Sequence, residues 1–529
     1  MCGILFAHLG ECPAALQPVS EPSFQEFDEA VISNEAFEWQ LTGHNKFDDL
    51  VPYIVSRGPN YCSLRADQNE NNLWFSSVLS LRTPFTKQSI EIDDRFVLQY
   101  NGELYNKELL DEEVTEGTSS KSENALFSDT QFIVDLIRKF PEDLSAVVKQ
   151  MYGEFAYTIY DKKSKSLYFG RDRVGKRSLS YQLNPEAKEL YVTSCSGKTN
   201  GDFTNCDANK MYKYNITSNE LCVTELYPPF QVGNDHTETI SIERSEEISA
   251  SLFNVLKDSV RMRVETIHPM HMSHNNAISV LFSGGLDCSV IVALICSIVK
   301  PGTVVELLNV GFENPRTKMQ PQDVPDRVLG LKSYEQLHKI FPLCDLRFIE
   351  VDVPYKEYLA VKNHVVDLIY PKETEMDLSI AIAFYFASRG KGFFKKQLYS
   401  RKGLVLFSGL GADELYGGYH KFANKSREEL ALELTGQINN IHDRNLNRDD
   451  KVIASNGVEV RYPFLDQEVI LFSTKKIPLA LKTNKAVLRH VAENFLHLKD
   501  ISQEPKRAIQ FGARSAKMTK GQTKGTDLI

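Results

Sequence analysis

Residues 277–299 read AISVLFSGGLDCSVIVALICSIV: a β-branched apolar run, a break at Ser283-Gly284-Gly285, and a second apolar stretch of helix length. The pattern predicts a strand buried on both faces of a parallel sheet, a tight turn and a helix crossing back over that sheet. The same form recurs at 404–418, LVLFSGLGADELYGG. Between the two copies, VVELLNVGF (304–312) and LRFIEVDV (346–353) predict further parallel strands, and IAIAFYFAS, preceded by the polar 373–377, predicts a helix. Residues 249–264, SASLFNVLKDSVRMRV, carry apolar positions at helical spacing. The polar stretch 231–247 before them predicts a linker, the charged stretch 111–124 a surface loop, and the Lys-Gly-rich 517–529 a disordered tail. In the N-terminal half, FVLQY (96–100) predicts a strand, and Asn101-Gly102 a hairpin turn at its end.

A chain of 529 residues with 42% hydrophobic content implies at least two domains, each with its own core. A net charge of −9 supplies no broad basic surface, so no nucleic-acid partner is expected. No apolar run is long enough to span a membrane and the start does not resemble a signal peptide, so the expectation is a cytoplasmic protein without a membrane partner. Nine scattered cysteines, an odd number without a C-x-x-C pair, fit a reducing compartment. His268, His271 and His274 are spaced three apart, but Pro269 interrupts the helix that would align them, which favours a mobile loop over a metal site.

Two readings of Ser283-Gly284-Gly285 stand side by side: a plain tight turn, or a cradle whose backbone N–H groups receive phosphate at a helix start. Asp287 would then be placed to hold a divalent metal on those phosphates. Ser408, Gly409 and Gly411 expose backbone donors in the second copy, and Asp413 offers a second carboxylate. At the chain start, trimming of Met1 would leave Cys2 with both a thiol and an α-amino group, a nucleophile and a base (pKa about 8) on one residue.

S-G-G-L-D followed by Ser289 resembles the pyrophosphate loop of ATP pyrophosphatases. Cys2, the SRGPN turn, QYNGELYN (99–106) and SDT (128–130) resemble, in that order, the class II glutaminase domain. S-G-G-L-D, S-G-x-G-A-D-E, GVEVRYPFLD (457–466), KAVLR (485–489) and PKRAIQFG (505–512) follow the order found in the glutamine-dependent asparagine synthetase family, and the details resemble its eukaryotic domain-containing branch.

The resemblance implies an Ntn-type α-β-β-α glutaminase sandwich over 2–230, a linker over 231–247 and an α/β parallel-sheet ATP pyrophosphatase domain, of the adenine nucleotide alpha hydrolase type, over 248–516. It implies Cys2 as nucleophile, Asn101 and Gly102 as oxyanion hole, and Arg57, Asn101, Glu103 and Asp129 around glutamine. It implies Ser283, Gly284, Gly285, Asp287, Ser289, Val310, Ser408 and Gly409 around ATP, Asp287 and Asp413 on Mg2+, and Lys506 as the catalytic lysine. The implied partners are small molecules (glutamine, ATP, and aspartate as the leading acceptor), ammonia passes through an internal tunnel, and a homodimer is allowed. The implied reaction is adenylation of the acceptor carboxylate followed by amidation. Gly153–Tyr157 and Gly170–Arg173 are expected to support the sheets rather than touch substrate.

Three departures stand out. Asn60 replaces the usual Asp and Ser178 the usual Pro, each expected to loosen a turn. Leu410 replaces a glutamate implicated in ammonia attack and can neither accept a proton nor carry charge. Leu410 leaves open another carboxylate acceptor, or a protein that keeps the fold as a regulatory scaffold.

Overall fold

The computed structural model describes residues 2–10, 23–27, 42–82, 85–106, 109, 128–233, 240–267, 277–419, 422, 425–518 and 524–529. The segments 111–124 and 268–276, the latter with all three spaced histidines, lie outside the described residues. The chain divides into two compact units, Met1–Pro228 with Ala454–Val458, and Pro229–Ile453 with Glu459–Ile529.

The first unit stacks two antiparallel sheets. In one the order is Thr204–Asn205, Ser180–Asn184, Glu189–Thr193, Cys2–His8, Asn72–Val78, Tyr61–Asp67, Ser23–Phe27. In the other it is Glu220–Glu225, Lys210–Asn215, Ser166–Arg171, Gly153–Asp161, Phe96–Leu104, Ile90–Ile92. Alternation along Phe96–Leu104 explains the layering: Val97 packs between the sheets with Phe6 and Trp74, while Leu98 and Tyr100 face Ile133 and Ile137 of the helix Asp129–Lys139. The helix Asn45–Val55 covers the other sheet with Phe47, Leu50, Val51 and Ile54. The result is the α-β-β-α sandwich.

The Asn101-Gly102 pair is not a hairpin turn. The strand runs on to Leu104, with Asn101 opposite Ala156 and Gly102 opposite Phe155. A side chain at Gly102 would meet the Glu154 carbonyl at 2.2 Å, so this glycine serves a close approach of backbone within a sheet. Residues expected to support the sheets do so: Asp172 accepts from the N–H groups of Phe155, Val174, Gly175 and Lys176, and buried Arg171 donates to the carbonyls of Arg177, Cys206 and Gly175.

The second unit holds a sheet ordered Gln397–Ser400, Lys391–Phe394, Asp345–Val353, Val304–Phe312, Ala277–Leu281, Val405–Phe407, Glu459–Arg461. The last five strands are mutually parallel; the first two form an antiparallel edge. Parallel strands bring the loops after Leu281, Phe312 and Phe407 to one edge of the sheet, where open α/β sheets bind ligands. The helix Leu286–Cys296 is buried almost all round, which is why its sequence lacks a polar face.

Two boundaries differ from the sequence reading. The helix Ile242–Glu265 starts inside the stretch assigned to the linker, because the Ser241 side chain accepts from Arg244 N and caps it; its exposed first turns account for the polar composition. The tail is ordered over its last six residues, 524–529. Carbonyls of Gly525 and Asp527 accept from Met376 and Glu375, the first N–H groups of the helix Glu375–Arg389, and Ile529 N donates to Glu373 O. Helix-start N–H groups lack partners within their own helix, which is the physical reason a polar tail finds a seat there.

Candidate active sites

Cys2 opens the Cys2–His8 strand, and a buried asparagine of the facing sheet reaches it: Cys2 N donates to Asn101 Oδ1 at 2.8 Å. Asn101 Nδ2 is buried and has no acceptor among the described residues. A buried amide donor left open beside a thiol is suited to a charge that arises only during reaction. Arg57 follows the helix Asn45–Val55 and is 1% exposed, and its Nε donates to Cys2 O at 3.4 Å. The turn after it is tight, since a Cβ on Gly58 would lie 2.4 Å from Val78 N. Asn60 does not loosen it: its Oδ1 accepts from Ser80 N at 2.9 Å, an acceptor role an amide fills as well as a carboxylate. Ser178 likewise anchors its segment by donating to Ser194 O at 2.8 Å.

Glu103 and Asp129 are both buried. Asp129 begins the helix Asp129–Lys139, with Ser128 as its cap, and accepts from Thr130 N. Sequence reasoning missed Arg82, whose Nε lies 2.6 Å from Glu103 Oε2. Burial alone would lower the pKa of Arg82, but Glu103 and then Asp129 outweigh it and hold the guanidinium firmly charged.

In the second unit a cavity of about 450 Å³ opens at the carboxyl edge of the parallel strands. Ser283, Gly285, Asp287, Val310, Ser408, Gly409, Leu410, Asp413 and Lys506 line it. Gly284 and Ser289 do not. Gly284 has φ +82°, and a Cβ there would sit 2.5 Å from Gly330 Cα, so this glycine admits a neighbouring helix; Ser289 Oγ is turned to the Gly284 carbonyl. The tight-turn reading therefore holds for Gly284, whereas Ser283 and Gly285 stay open to the cavity.

Lys485 joins the two carboxylates. Its Nζ lies 2.6 Å from Asp287 Oδ2 and 2.6 Å from Asp413 Oδ1, and Lys506 Nζ takes the other Asp413 oxygen. Lys506 also stands 3.9 Å from the centre of the Tyr419 ring, and Tyr419 OH donates to Glu414 Oε1 at 2.5 Å. Burial pushes Asp287 up, opposed by Lys485. Burial also acts upward on Asp413, but Lys485 and Lys506 outweigh it and hold that carboxyl below its usual range. Burial and the Asp413 charge raise Glu414, whose Oε2 has no hydrogen-bond partner among the described residues. For a divalent metal the test is whether the two acids converge. They do, on a single point where an ammonium stands, so the donors fit a cation there, with remaining ligands left to phosphate and water.

The pairing of Lys485 with Asp287 is not a matter of local pattern, since the two lie 198 residues apart; the sequence reading names the KAVLR segment but gives this lysine no role. Arg444 and Arg448 also reach the cavity wall, the former from a π-helical turn, His442–Leu446, a form that often marks functional sites.

Comparison with known proteins agrees with this division. A glutamine amidotransferase domain family matches residues 72–198, and an asparagine synthase family matches 254–437 and 423–525. An asparagine synthetase domain-containing protein of Saccharomyces cerevisiae is 51% identical over all of this chain and 99% of its own length. Asparagine synthetase domain-containing protein 1 of Mus musculus is 26% identical over 91% of this chain and 95% of its own. A putative glutamine-hydrolysing asparagine synthetase of Methanocaldococcus jannaschii is 27% identical over 77% and 69%.

Proposed function

Because the chain belongs to the asparagine synthetase domain-containing family, with a glutamine amidotransferase domain followed by an asparagine synthase domain, we propose that it is a glutamine-dependent amidotransferase that adenylates a carboxylate with ATP. In the first unit the Cys2 thiolate attacks the carboxamide carbon of glutamine. Asn101 Nδ2 and Gly102 N–H stabilise the oxyanion, Arg57 pairs with the α-carboxylate, and Glu103 and Asp129 attract the α-ammonium. Ammonia leaves, and water releases glutamate from the thioester. The α-amine freed by loss of Met1 would carry the proton, while Asn101 Oδ1 keeps hold of that nitrogen.

In the second unit the acceptor carboxylate attacks the α-phosphorus of ATP and pyrophosphate departs. Lys485 and Lys506 stabilise charge growing on the phosphates; backbone at Ser283, Gly285 and Gly409 receives pyrophosphate, joined by the Ser408 hydroxyl because the Ser408 N–H is taken by the Arg461 carbonyl, with adenine against Val310. Asp287 and Asp413 would hold Mg2+, which when bound neutralises phosphate charge. Ammonia then attacks the acyl adenylate, and AMP leaves. Aspartate is the leading acceptor, which makes asparagine the product, in the cytoplasm. The observation that carries the reading is the convergence of Asp287, Asp413, Lys485 and Lys506 in one cavity.

Leu410 favours a second reading. It lines the cavity where the family's glutamate would stand, so the site lacks that base and an acceptor other than aspartate, or a regulatory protein that keeps the fold, follows. The experiment is release of glutamate and pyrophosphate from purified protein with ATP, Mg2+, glutamine and each candidate carboxylate, with Cys2→Ala as control. Aspartate-dependent pyrophosphate together with Cys2-dependent asparagine supports the synthetase. Glutamate without pyrophosphate for any acceptor refutes adenylation and leaves the scaffold reading.

A further inference from the structure

A pocket that selects an α-ammonium by two carboxylates should keep both negative charges available to the ligand. Here one is already answered. Arg82 Nε pairs with Glu103 Oε2 at 2.6 Å, and Arg82 Nη2 donates to the Leu104 carbonyl at 2.5 Å, which fixes the guanidinium against the strand that carries Asn101 and Glu103. The pair is secluded: the side chains are 13% and 6% exposed. The Asp129 carboxylate acts on the same guanidinium, so two anions share one resident cation before any substrate arrives. The net charge left among these three groups is −1 rather than −2. Buried Tyr100 packs beside them and, among the described residues, its hydroxyl has no hydrogen-bond partner, so it returns no charge to the balance.

Resting on the glutaminase reading of this site, we infer that Arg82 is a specificity-determining residue that competes with the α-ammonium of glutamine for Glu103 and Asp129, so that the pocket accepts glutaminyl compounds with an uncharged α-substituent. The physical reason is that a secluded ion pair is already compensated, and an incoming ammonium gains only the difference between two pairings.

The test compares L-glutamine with its 2-hydroxy analogue, 2-hydroxyglutaramate, which replaces the ammonium by a neutral hydroxyl of similar size. A pocket built on two uncompensated carboxylates should reject the analogue by about 10⁴-fold, as sites do when a matched polar partner is lost. The full chain with Arg82 intact is expected to discriminate by less than about 100-fold in kcat/KM for ammonia release; greater discrimination overturns the inference. Arg82→Met is expected to lower the KM for glutamine and to raise the discrimination about tenfold or more; an unchanged or smaller ratio overturns it. Should that variant not fold, the unsubstituted chain still decides the question, and calorimetric titration of Cys2→Ala with both compounds decides it without turnover. Binding of both compounds without ammonia release refutes the glutaminase reading alone. Turnover with a strong demand for the ammonium refutes the Arg82 inference alone.

Discussion

Lys485→Met removes the ammonium that Asp287 and Asp413 share. Lys485 is 4% exposed and the two carboxylates 23% and 20%, so the substitution leaves two anions facing each other in a setting that water reaches poorly. Removing one partner of a buried ion pair costs about 3–5 kcal/mol, because the remaining charge is left uncompensated. Lys506 still holds one Asp413 oxygen, which places the expected loss near the lower end of that range. For a unit of this size about 2 °C of melting temperature goes with each kcal/mol, so the second unit should melt roughly 6 °C lower at pH 8. The sign with pH follows from Asp287. Burial already raises its carboxyl above the ordinary value, and loss of the lysine raises it further, so the native state binds the proton more tightly than the unfolded chain. The penalty is therefore full above the folded-state pKa and relieved as pH falls through it. Differential scanning calorimetry at pH 5 and pH 8 reads both, and millimolar Mg2+ should recover part of the loss in the variant and less in the parent protein. A fall smaller than about 2 °C, corresponding to under 1 kcal/mol, or a loss insensitive to pH and to Mg2+, would refute the claim that the two acids form one cation seat.

Asn101→Ala should lower kcat for glutamine hydrolysis about 10²–10³-fold, with KM less affected, as loss of an oxyanion donor does in steady-state ammonia assays. Asp326, buried and raised to about 7 despite Arg507 and Arg514, binds its proton more tightly when folded than unfolded. Its ionisation thus destabilises the fold as pH rises from about 4 to about 7, and Asp326→Asn should raise the melting temperature at pH 8 but not at pH 4. Deleting 524–529 strips the acceptors from Glu375 N and Met376 N, and a loss of about 1 kcal/mol, read as a shift of roughly 2 °C, is expected.

The strand-turn-helix pairs around Asp287 and Asp413 were legible because each is a contiguous string whose apolar period, glycines and acid all speak for the same local geometry. Cys2, Arg57, Asn101, Glu103 and Asp129 were legible as an ordered set of short segments, and the structure brings Asn101 and Arg57 to Cys2. Asn101-Gly102 was misread because a dipeptide's turn preference is weak against pairing to a neighbouring strand, and the glycine answers to the Glu154 carbonyl instead. The tail was misread because backbone carbonyls seat it, and every residue has one.

Sequence alone thus determined the two kinds of domain, the parallel strands and the identity of most candidate groups, since apolar period and short motifs are properties of consecutive residues. Only the tertiary structure decided how charge is balanced. Lys485 between Asp287 and Asp413, Lys506 on Asp413 and Tyr419, and Arg82 on Glu103 join residues 21 to 198 positions apart. Coulomb energy depends on distance in space and on exclusion of water, and neither is written in the order of the chain.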